Sequence, residues 1–320
     1  MHPLIARLHP AFRTALVAWL FSRATLWFLL PSRPTTLGDG PPFPGLLSTI
    51  LADLNAAVES PVVSGLIDAS PWIALEIGLL YGGVCVYRFA RTSELPQIAE
   101  RACWIWMWSP LLALHATDWS GQMAVILATI ALASLVTRRP RLAIAAAFFA
   151  LGCRLELIVL WPAFVVAAIG EHNKGQRSTQ GEMIAQLAVL PLAFSAWIAA
   201  SWHLAGHAQT SLRALHGDTL WRNPDLLLTA GPIDQLLLIA GLGLAFLSLR
   251  YFRRLPSWYA LAALPLLLLP LAQVPAYPLA LLWTAALPLS LYLALATDDR
   301  SFERPLIVAL VIAFILAIPT

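Results

Sequence analysis

Long apolar runs separated by short polar loops extend along almost the whole chain. A helix that crosses a hydrocarbon core of about 30 Å needs about 20 apolar residues, and these runs are roughly 15–22 residues long. The predicted spans lie near 12–30, 70–87, 102–117, 119–136, 142–153, 155–169, 183–204, 233–250, 257–274, 277–296 and 305–319. The pattern therefore predicts an all-α integral membrane protein, a polytopic bundle of about eleven transmembrane helices (range about 9–12) in a single transmembrane domain over 1–320.

The distribution of Lys and Arg predicts the orientation of this bundle. Cationic loops fall on one side of the spans, at Arg7/Arg13, Arg88–Arg101, Thr137–Arg141 (TRRPR), Lys174/Arg177 and Arg250–Arg254. The two longest loops, 31–69 and 205–231, fall on the other side, and 46–58 within the first has the apolar spacing of a helix on the membrane surface. Because positive charge collects in cytoplasmic loops, we expect a cytoplasmic N-terminus and two extracytoplasmic long loops.

Whether the block 142–169 crosses the membrane once or turns back decides on which side the later cationic loops lie. As one helix it would be too long for an untilted span, and it would send the later cationic loops outside. As a hairpin, each arm has about a dozen residues and reaches roughly 18 Å. We favour the hairpin, with a tip at Gly152–Arg154 inside the membrane or close to its outer face, where irregular backbone needs protein or a water-filled cavity around it.

Composition supports a bilayer location and narrows the function classes. The chain is 59% hydrophobic and 12% charged, with a mean hydropathy of +0.75, more apolar surface than a soluble core can hide. A net charge of +3, widely dispersed, argues against a nucleic-acid partner. Three cysteines lie in apolar segments without paired spacing, which favours buried thiols. The three tryptophans at 104, 106 and 108 are interpreted as an interfacial aromatic belt.

Charged residues inside apolar segments are the candidates for chemistry. Asp118 follows His115 in HATDWSGQ, and such a carboxylate can act as a base toward a hydroxyl or can simply cap the helix that follows. Arg154 and Glu156 are two residues apart, so they cannot pair with each other on a regular helix. A guanidinium at this depth suits a phosphate or carboxylate, and a structural ion pair with Asp118 or Glu76 is the alternative.

Two further groups of polar residues are also candidates for the site. Glu76 could pair with a neighbouring helix or line the same cavity, and Arg23 in the first span could snorkel outward or meet one of the acids. The second long loop contains Trp221 and Arg222, which suit a lip that contacts a sugar or phosphate, although a solvated loop explains them equally well. His203 and His207 have the spacing of a chelating pair, but they lack a third ligand, so no metal site is predicted.

Several segments resemble the multi-pass glycosyltransferases of the GT-C class, in particular PIG-V-type and related bacterial mannosyltransferases. The resemblance rests on SPLLALHATDWSGQMAVILATIAL (109–132) and TRRPRLAIAAAFFALGCRLELIVLWPAF (137–164). Thr117–Asp118 stands where that family has Thr-Glu, and Arg154 stands where it has an arginine before an apolar run ending in Pro. FPGLLSTIL (43–51) and HAQTSLRALHGDTLWRNP (207–224) resemble two further family segments. The early Trp-Asp motif is missing, and only Asp39 lies in its place.

The resemblance implies transfer of a sugar from a polyprenyl-phosphate donor to a glycan or lipid acceptor, with inversion, at the outer face of a bacterial inner (plasma) membrane. Asp39 or Asp118 would be the catalytic base. Arg154, Glu156, Arg222, Trp221 and His115 would bind the donor and its phosphate. No cofactor beyond the lipid-linked donor is implied, and a divalent metal has no support in the residues. A non-catalytic relative that binds lipid or a partner, and a polytopic transporter, are the alternatives.

Overall fold

The computed structural model describes residues 9–29, 42–58, 60–93, 96–108, 119–173, 180–205 and 255–272. Every regular element in these ranges is helical, in agreement with the predicted all-α class. The α-helices are α1 (Pro10–Leu29), α2 (Pro42–Ala56), α3 (Pro61–Ser93), α4 (Pro96–Met107), α5 (Trp119–Val136), α6 (Pro140–Cys153), α7 (Trp161–Asn173), α8 (Gln180–Ala205) and α9 (Ser257–Ala272). A 3₁₀ helix, Leu155–Leu160, joins α6 to α7. Proline opens five of these α-helices, at the position where a helix has no use for the backbone N–H.

Three of the described helices are long and apolar enough to cross a membrane. These segments are Pro61–Thr92, Trp119–Val136 and Gln180–Ala200. They coincide with predicted spans near 70–87, 119–136 and 183–204, and they are compatible with a membrane protein. The predicted spans near 233–250, 277–296 and 305–319 lie outside the described residues, as does most of the long loop 205–231. The total of about eleven spans therefore stays a prediction.

The structure corrects the extent of the first long loop, which the sequence placed at 31–69. Residues 42–56 form α2, close to the predicted surface helix, and α3 begins at Pro61 instead of near 70. The side-chain amide of Asn55 donates to the Asp68 carboxylate, which fixes the end of α2 against the first turns of α3. What remains of the loop, 30–41, lies outside the described residues.

Pro71 explains why the early start of α3 was missed. A proline inside an apolar pattern usually ends a helix, because it has no N–H for the carbonyl four residues back. In α3 that carbonyl belongs to Ile67, and the Ser70 hydroxyl donates to it at 2.7 Å. The helix therefore continues through Pro71 without an unsatisfied carbonyl.

Helix α5 forms the centre of the bundle. It is buried on all sides, and α6 and α3 pack against it more extensively than any other described elements. Its small side chains and the alanines of α6 let the two backbones approach closely, as is usual between helices in membranes. Ala143, Ala146, Ala147 and Ala150 supply this face of α6.

Tryptophan side chains connect the helices through hydrogen bonds to backbone carbonyls. Trp106 of α4 donates to the Leu79 carbonyl of α3 at 3.0 Å, and Trp119 of α5 donates to the Pro71 carbonyl at 2.8 Å. Trp106 is fully buried, so the prediction of an interfacial belt was wrong for this residue. The reason is Gly82, where an added Cβ would lie 2.7 Å from the Trp106 ring. Only a glycine there gives the indole room inside the bundle.

The helix of the block 142–169 is broken at Arg154, where the sequence predicted a tip. Helix α6 ends at Cys153, and Arg154 has an extended backbone with φ −147° and ψ 108°. Its N–H donates to the Ala150 carbonyl at 2.9 Å, and its own carbonyl accepts from Leu157 N–H at 3.1 Å. The break therefore leaves the neighbouring backbone groups paired.

Contacts with α8 show that the chain reverses direction at this break. Arg141 at the start of α6 forms an ion pair with Glu182 at the start of α8, and Trp197 near the other end of α8 donates to the Phe148 carbonyl. Helix α6 therefore runs parallel to α8. Helix α7 runs the opposite way, because Trp161 at its start reaches Leu187 and its last residue, Asn173, precedes α8 closely in the chain. The hairpin interpretation of the block is confirmed.

A proline in α8 determines where along that helix the start of α7 lies. Pro191 lies inside α8 and cannot donate to the Leu187 carbonyl four residues back. Trp161 Nε1 donates to this same carbonyl at 2.9 Å. A carbonyl that the proline leaves without its helical partner thus becomes the anchor for the start of α7.

Replacing Trp161 with phenylalanine is expected to lower the free energy of unfolding in detergent micelles by about 1 kcal/mol, because the Leu187 carbonyl loses its donor. In a Pro191→Ala background the same replacement should cost less, since the new backbone N–H can bond that carbonyl. A double-mutant cycle measures this coupling. Equal costs of Trp161→Phe in the two backgrounds would contradict the assigned role of Pro191.

Candidate functional site

The hairpin tip, Gly152–Arg154, packs beside α8 and does not extend past its end. A Cβ on Gly152 would lie 2.7 Å from the ring of Trp197. Trp197 belongs to the apolar segment Gln180–Ala200 and lies eight residues before the end of α8, about 12 Å at 1.5 Å per residue. The tip therefore lies within the length of a helix that can span a membrane, close to one end of its apolar segment.

An aromatic cluster (Phe43, Trp119, Phe148, Phe149 and Trp197) surrounds the tip. The ring centroid of Phe43 lies 6.0 Å from that of Trp119 in a stacked arrangement and 5.6 Å from that of Trp197 in an edge-on one. A Cβ on Gly152 would also lie 3.1 Å from the Phe43 Cβ. The first turn of α2 thus inserts its phenylalanine directly against the tip, where only glycine leaves space for it.

Arg154 and Glu156 are the predicted site residues that the structure describes. Arg154 is partly buried at the tip, and Glu156 is buried in the first turn of the 3₁₀ helix, 8% exposed. Neither side chain is without an interaction partner, as a charge at such depth requires.

Glu76 has a structural role at the α1–α3 interface. Its Oε2 accepts a hydrogen bond from Trp19 Nε1 at 2.8 Å and forms an ion pair with Arg23 Nε at 2.8 Å. Of the two alternatives for Arg23, an outward orientation and a contact with an intramembrane acid, the structure has the contact. Glu76 lies five residues along α3 from Pro71, which contacts Trp119 of the aromatic cluster, about 7.5 Å away along the helix axis. The pair therefore holds α1 in place next to the region of the tip.

The other predicted site residues, Asp39, His115, Asp118, Trp221 and Arg222, lie outside the described residues. Two of them are close in sequence to members of the aromatic cluster: Asp118 directly precedes Trp119, and Asp39 lies four residues before Phe43. The structure brings Phe43, Trp119 and Gly152 together, although they are far apart in the chain.

An apolar groove of about 590 Å³ runs along the outer part of α8. Its lining is formed by Phe194, Ser195, Ile198, Ala199, Trp202 and His203. Trp202 and Leu192 are two-thirds exposed, so this side of α8 is free of other described elements. Among the described residues, no group of three or more His, Cys, Asp or Glu could hold a metal ion. The three cysteines are buried, and none forms a disulfide.

The sequence did not predict that Phe43, Gly152 and Trp197 meet in the folded protein. The signals were present but weak: a glycine next to Arg154, and an isolated tryptophan in the small-residue run FSAWIAAS. No protein-family model matches the chain, and no curated protein or solved structure is significantly similar to it.

Proposed function

We propose that the protein is a membrane glycosyltransferase, mannosyltransferase-like, that uses a polyprenyl-phosphate sugar and transfers the sugar to a glycan or lipid acceptor at the outer membrane face. The observation that carries the proposal is the reversal of the chain at Arg154, within the apolar length of α8 and against Phe43 and Trp197. The phosphate of a lipid-linked sugar lies near the end of a membrane-spanning segment. An arginine at a backbone break at that level is suited to hold it.

Chain connectivity supports a role for Asp118. Consecutive Cα atoms are about 3.8 Å apart, so the backbone of Asp118 is one step from Trp119, which packs against Phe43. Asp39 is separated from Phe43 by three residues. Both carboxylates are therefore within chain reach of the tip, which is what the proposed base requires.

In the proposed reaction, a carboxylate of Asp39 or Asp118 accepts the proton of the acceptor hydroxyl. The hydroxyl oxygen attacks the anomeric carbon, and the bond from that carbon to the phosphate oxygen breaks with inversion. The bonding electrons leave with the lipid phosphate, whose growing negative charge Arg154 stabilises, with Arg222 as a second cation. Glu156, Trp221 and His115 contribute to binding the donor.

The apolar groove on α8 supports a lipid-linked donor. It lies on the exposed side of the helix that packs against the tip, and it is lined by side chains suited to an acyl or prenyl chain. In the proposed orientation, the N-terminus is cytoplasmic and the protein resides in a bacterial inner membrane.

The test is a transfer assay with the purified chain in vesicles that contain radiolabelled polyprenyl-phosphate sugars and an acceptor lipid. We expect transfer by the natural protein and loss of transfer when Asp39, Asp118 or Arg154 is replaced by alanine, with insertion unchanged. Transfer that survives in all three variants would overturn the proposal.

Transport is a second candidate, because a helix broken at membrane depth next to a buried glutamate is also typical of transporters. The same vesicles distinguish the two functions. Transport would produce flux of a solute across the membrane without formation of a glycosylated lipid, whereas the glycosyltransferase forms the product without flux.

A further inference from the structure

A group of donors gathers at the opposite end of the bundle from the hairpin tip. Tyr81, Cys85 and Arg88 follow one another at i, i+4 and i+7, so they share one face of α3. The guanidinium groups of Arg88 and Arg139 are both near enough to this face to act electrostatically on Tyr81 and Cys85. We call Tyr81, Cys85, Arg88 and Arg139 the basic niche.

The register of α3 and α5 independently places Arg88 and the turn that carries Arg139 at the same level of the bundle. A Cβ on Gly78 of α3 would lie 3.3 Å from Ile126 Cγ2 of α5. The two helices run in the same direction, because Pro71 contacts Trp119 before this point. Arg88 and Val136 each lie ten residues farther on, so they are level, about 15 Å along the bundle. The turn that carries Arg139 follows Val136 directly.

The turn itself is built around arginines. Arg138 has a φ of 57°, a left-handed conformation that usually belongs to glycine after a helix. Arg139 N–H donates to the Ser134 carbonyl at 2.8 Å, which closes the end of α5. The Arg139 side chain makes no capping hydrogen bond to α6. Arg139 is exposed, and the closed turn that carries it lies at the same level as the end of α3.

Like charges that converge in this way need a counter-ion. Within the part of the chain that the structure describes, neither Arg88 nor Arg139 pairs with a carboxylate, whereas Arg141 two residues on pairs with Glu182 at 3.0 Å. Two guanidinium forks and a phenol hydroxyl form a donor set for phosphate oxygens. The niche lies at the ends of two helices long enough to span a membrane, which is where the phosphates of lipid headgroups lie.

We propose that the basic niche binds the phosphate of an anionic phospholipid at the membrane face opposite the hairpin tip. This inference does not depend on the proposed glycosyltransferase activity, because it concerns other residues at the other end of the bundle. A bound lipid phosphate offsets the repulsion between Arg88 and Arg139 and links α3 to the α5–α6 turn.

The test measures binding of short-chain phosphatidylglycerol to the delipidated full chain in a non-ionic detergent, followed by native mass spectrometry. Arg88→Gln and Arg139→Gln should each weaken binding about tenfold or more. Arg141→Gln is the matched control, since it removes the same charge two residues away, at the start of α6, and should leave affinity unchanged. Arg139→Lys should recover only part of the affinity, because it keeps the charge and loses the fork.

Three outcomes would overturn the proposal. If Arg141→Gln weakened lipid binding equally, the effect would come from net charge and not from the basic niche. Equal binding of short-chain phosphatidylcholine would show that the anionic headgroup is not selected. Full competition by inorganic phosphate at matched concentration would identify a free-phosphate site instead of a lipid site. Arg139 is exposed, so its variants keep the test valid even where Arg88→Gln fails to fold.

Discussion

Replacing Arg154 with glutamine is expected to lower the rate of sugar transfer about 10²–10³-fold. The change removes a fixed cation from the place where charge develops on the leaving phosphate, and loss of one such donor in a site shielded from water costs about 2.7–4 kcal/mol in the transition state. The measurement is the initial rate of product formation in vesicles at saturating donor. A lysine at the same position should retain a larger part of the rate, because it keeps the charge without the two-pronged geometry.

The control for this prediction is Arg141→Gln, which removes an equal charge at the other end of the same helix. The Arg141 side chain is 87% exposed in its pair with Glu182, so its loss should leave the rate unchanged. An Arg154→Gln protein that transfers sugar at the natural rate would exclude Arg154 from the chemistry. A loss of rate together with a loss of folded protein would instead show that Arg154 supports the hairpin alone.

Replacing Glu76 with alanine is expected to lower the free energy of unfolding by about 3–5 kcal/mol. The carboxylate accepts from Trp19 and pairs with Arg23, which is only 7% exposed. Without Glu76, a buried guanidinium and an indole N–H lose their acceptor in apolar surroundings. Equilibrium unfolding in detergent micelles, monitored by tryptophan fluorescence, gives the free energy.

Two variants make this second prediction specific. Glu182→Ala removes a carboxylate that pairs with a mostly exposed arginine, and it should cost less than about 1 kcal/mol. The double replacement Arg23→Met with Glu76→Leu should recover most of the lost stability, because two apolar side chains of similar size avoid the unpaired charge. A Glu76→Ala protein as stable as Glu182→Ala would show that the pair is not structurally important.

The location of the helix break was predictable, whereas its surroundings were not. The length of the block 142–169 and the cationic loops on either side of it favoured a reversal near Gly152–Arg154, and the structure breaks the helix there. That Phe43 and Trp197 close around Gly152 could not be read from the chain, because contacts between segments more than forty residues apart leave no periodic trace.

The buried tryptophan and the two internal prolines show that contacts in the folded protein can override a local sequence preference. A pattern of alternating tryptophans at the end of an apolar run indicates an interface, yet Trp106 is buried because Gly82 leaves room for its ring. Pro71 and Pro191 indicate helix ends, yet both helices continue, because Ser70 and Trp161 donate to the carbonyls that the prolines leave open. For Trp106 and Pro191 the partner is distant in the chain, whereas for Pro71 it is the neighbouring Ser70, and each partner reverses the local preference.

The sequence by itself determined that this protein is helical and apolar enough for a bilayer, and that the block 142–169 reverses near Gly152–Arg154. These properties follow from local periodicity and from the requirement that backbone groups in an apolar medium be hydrogen-bonded. Only the tertiary structure decided which charges pair, with Glu76 held by Arg23 and Trp19. Pairing depends on the relative depth and rotation of neighbouring helices, which side-chain packing between distant segments sets.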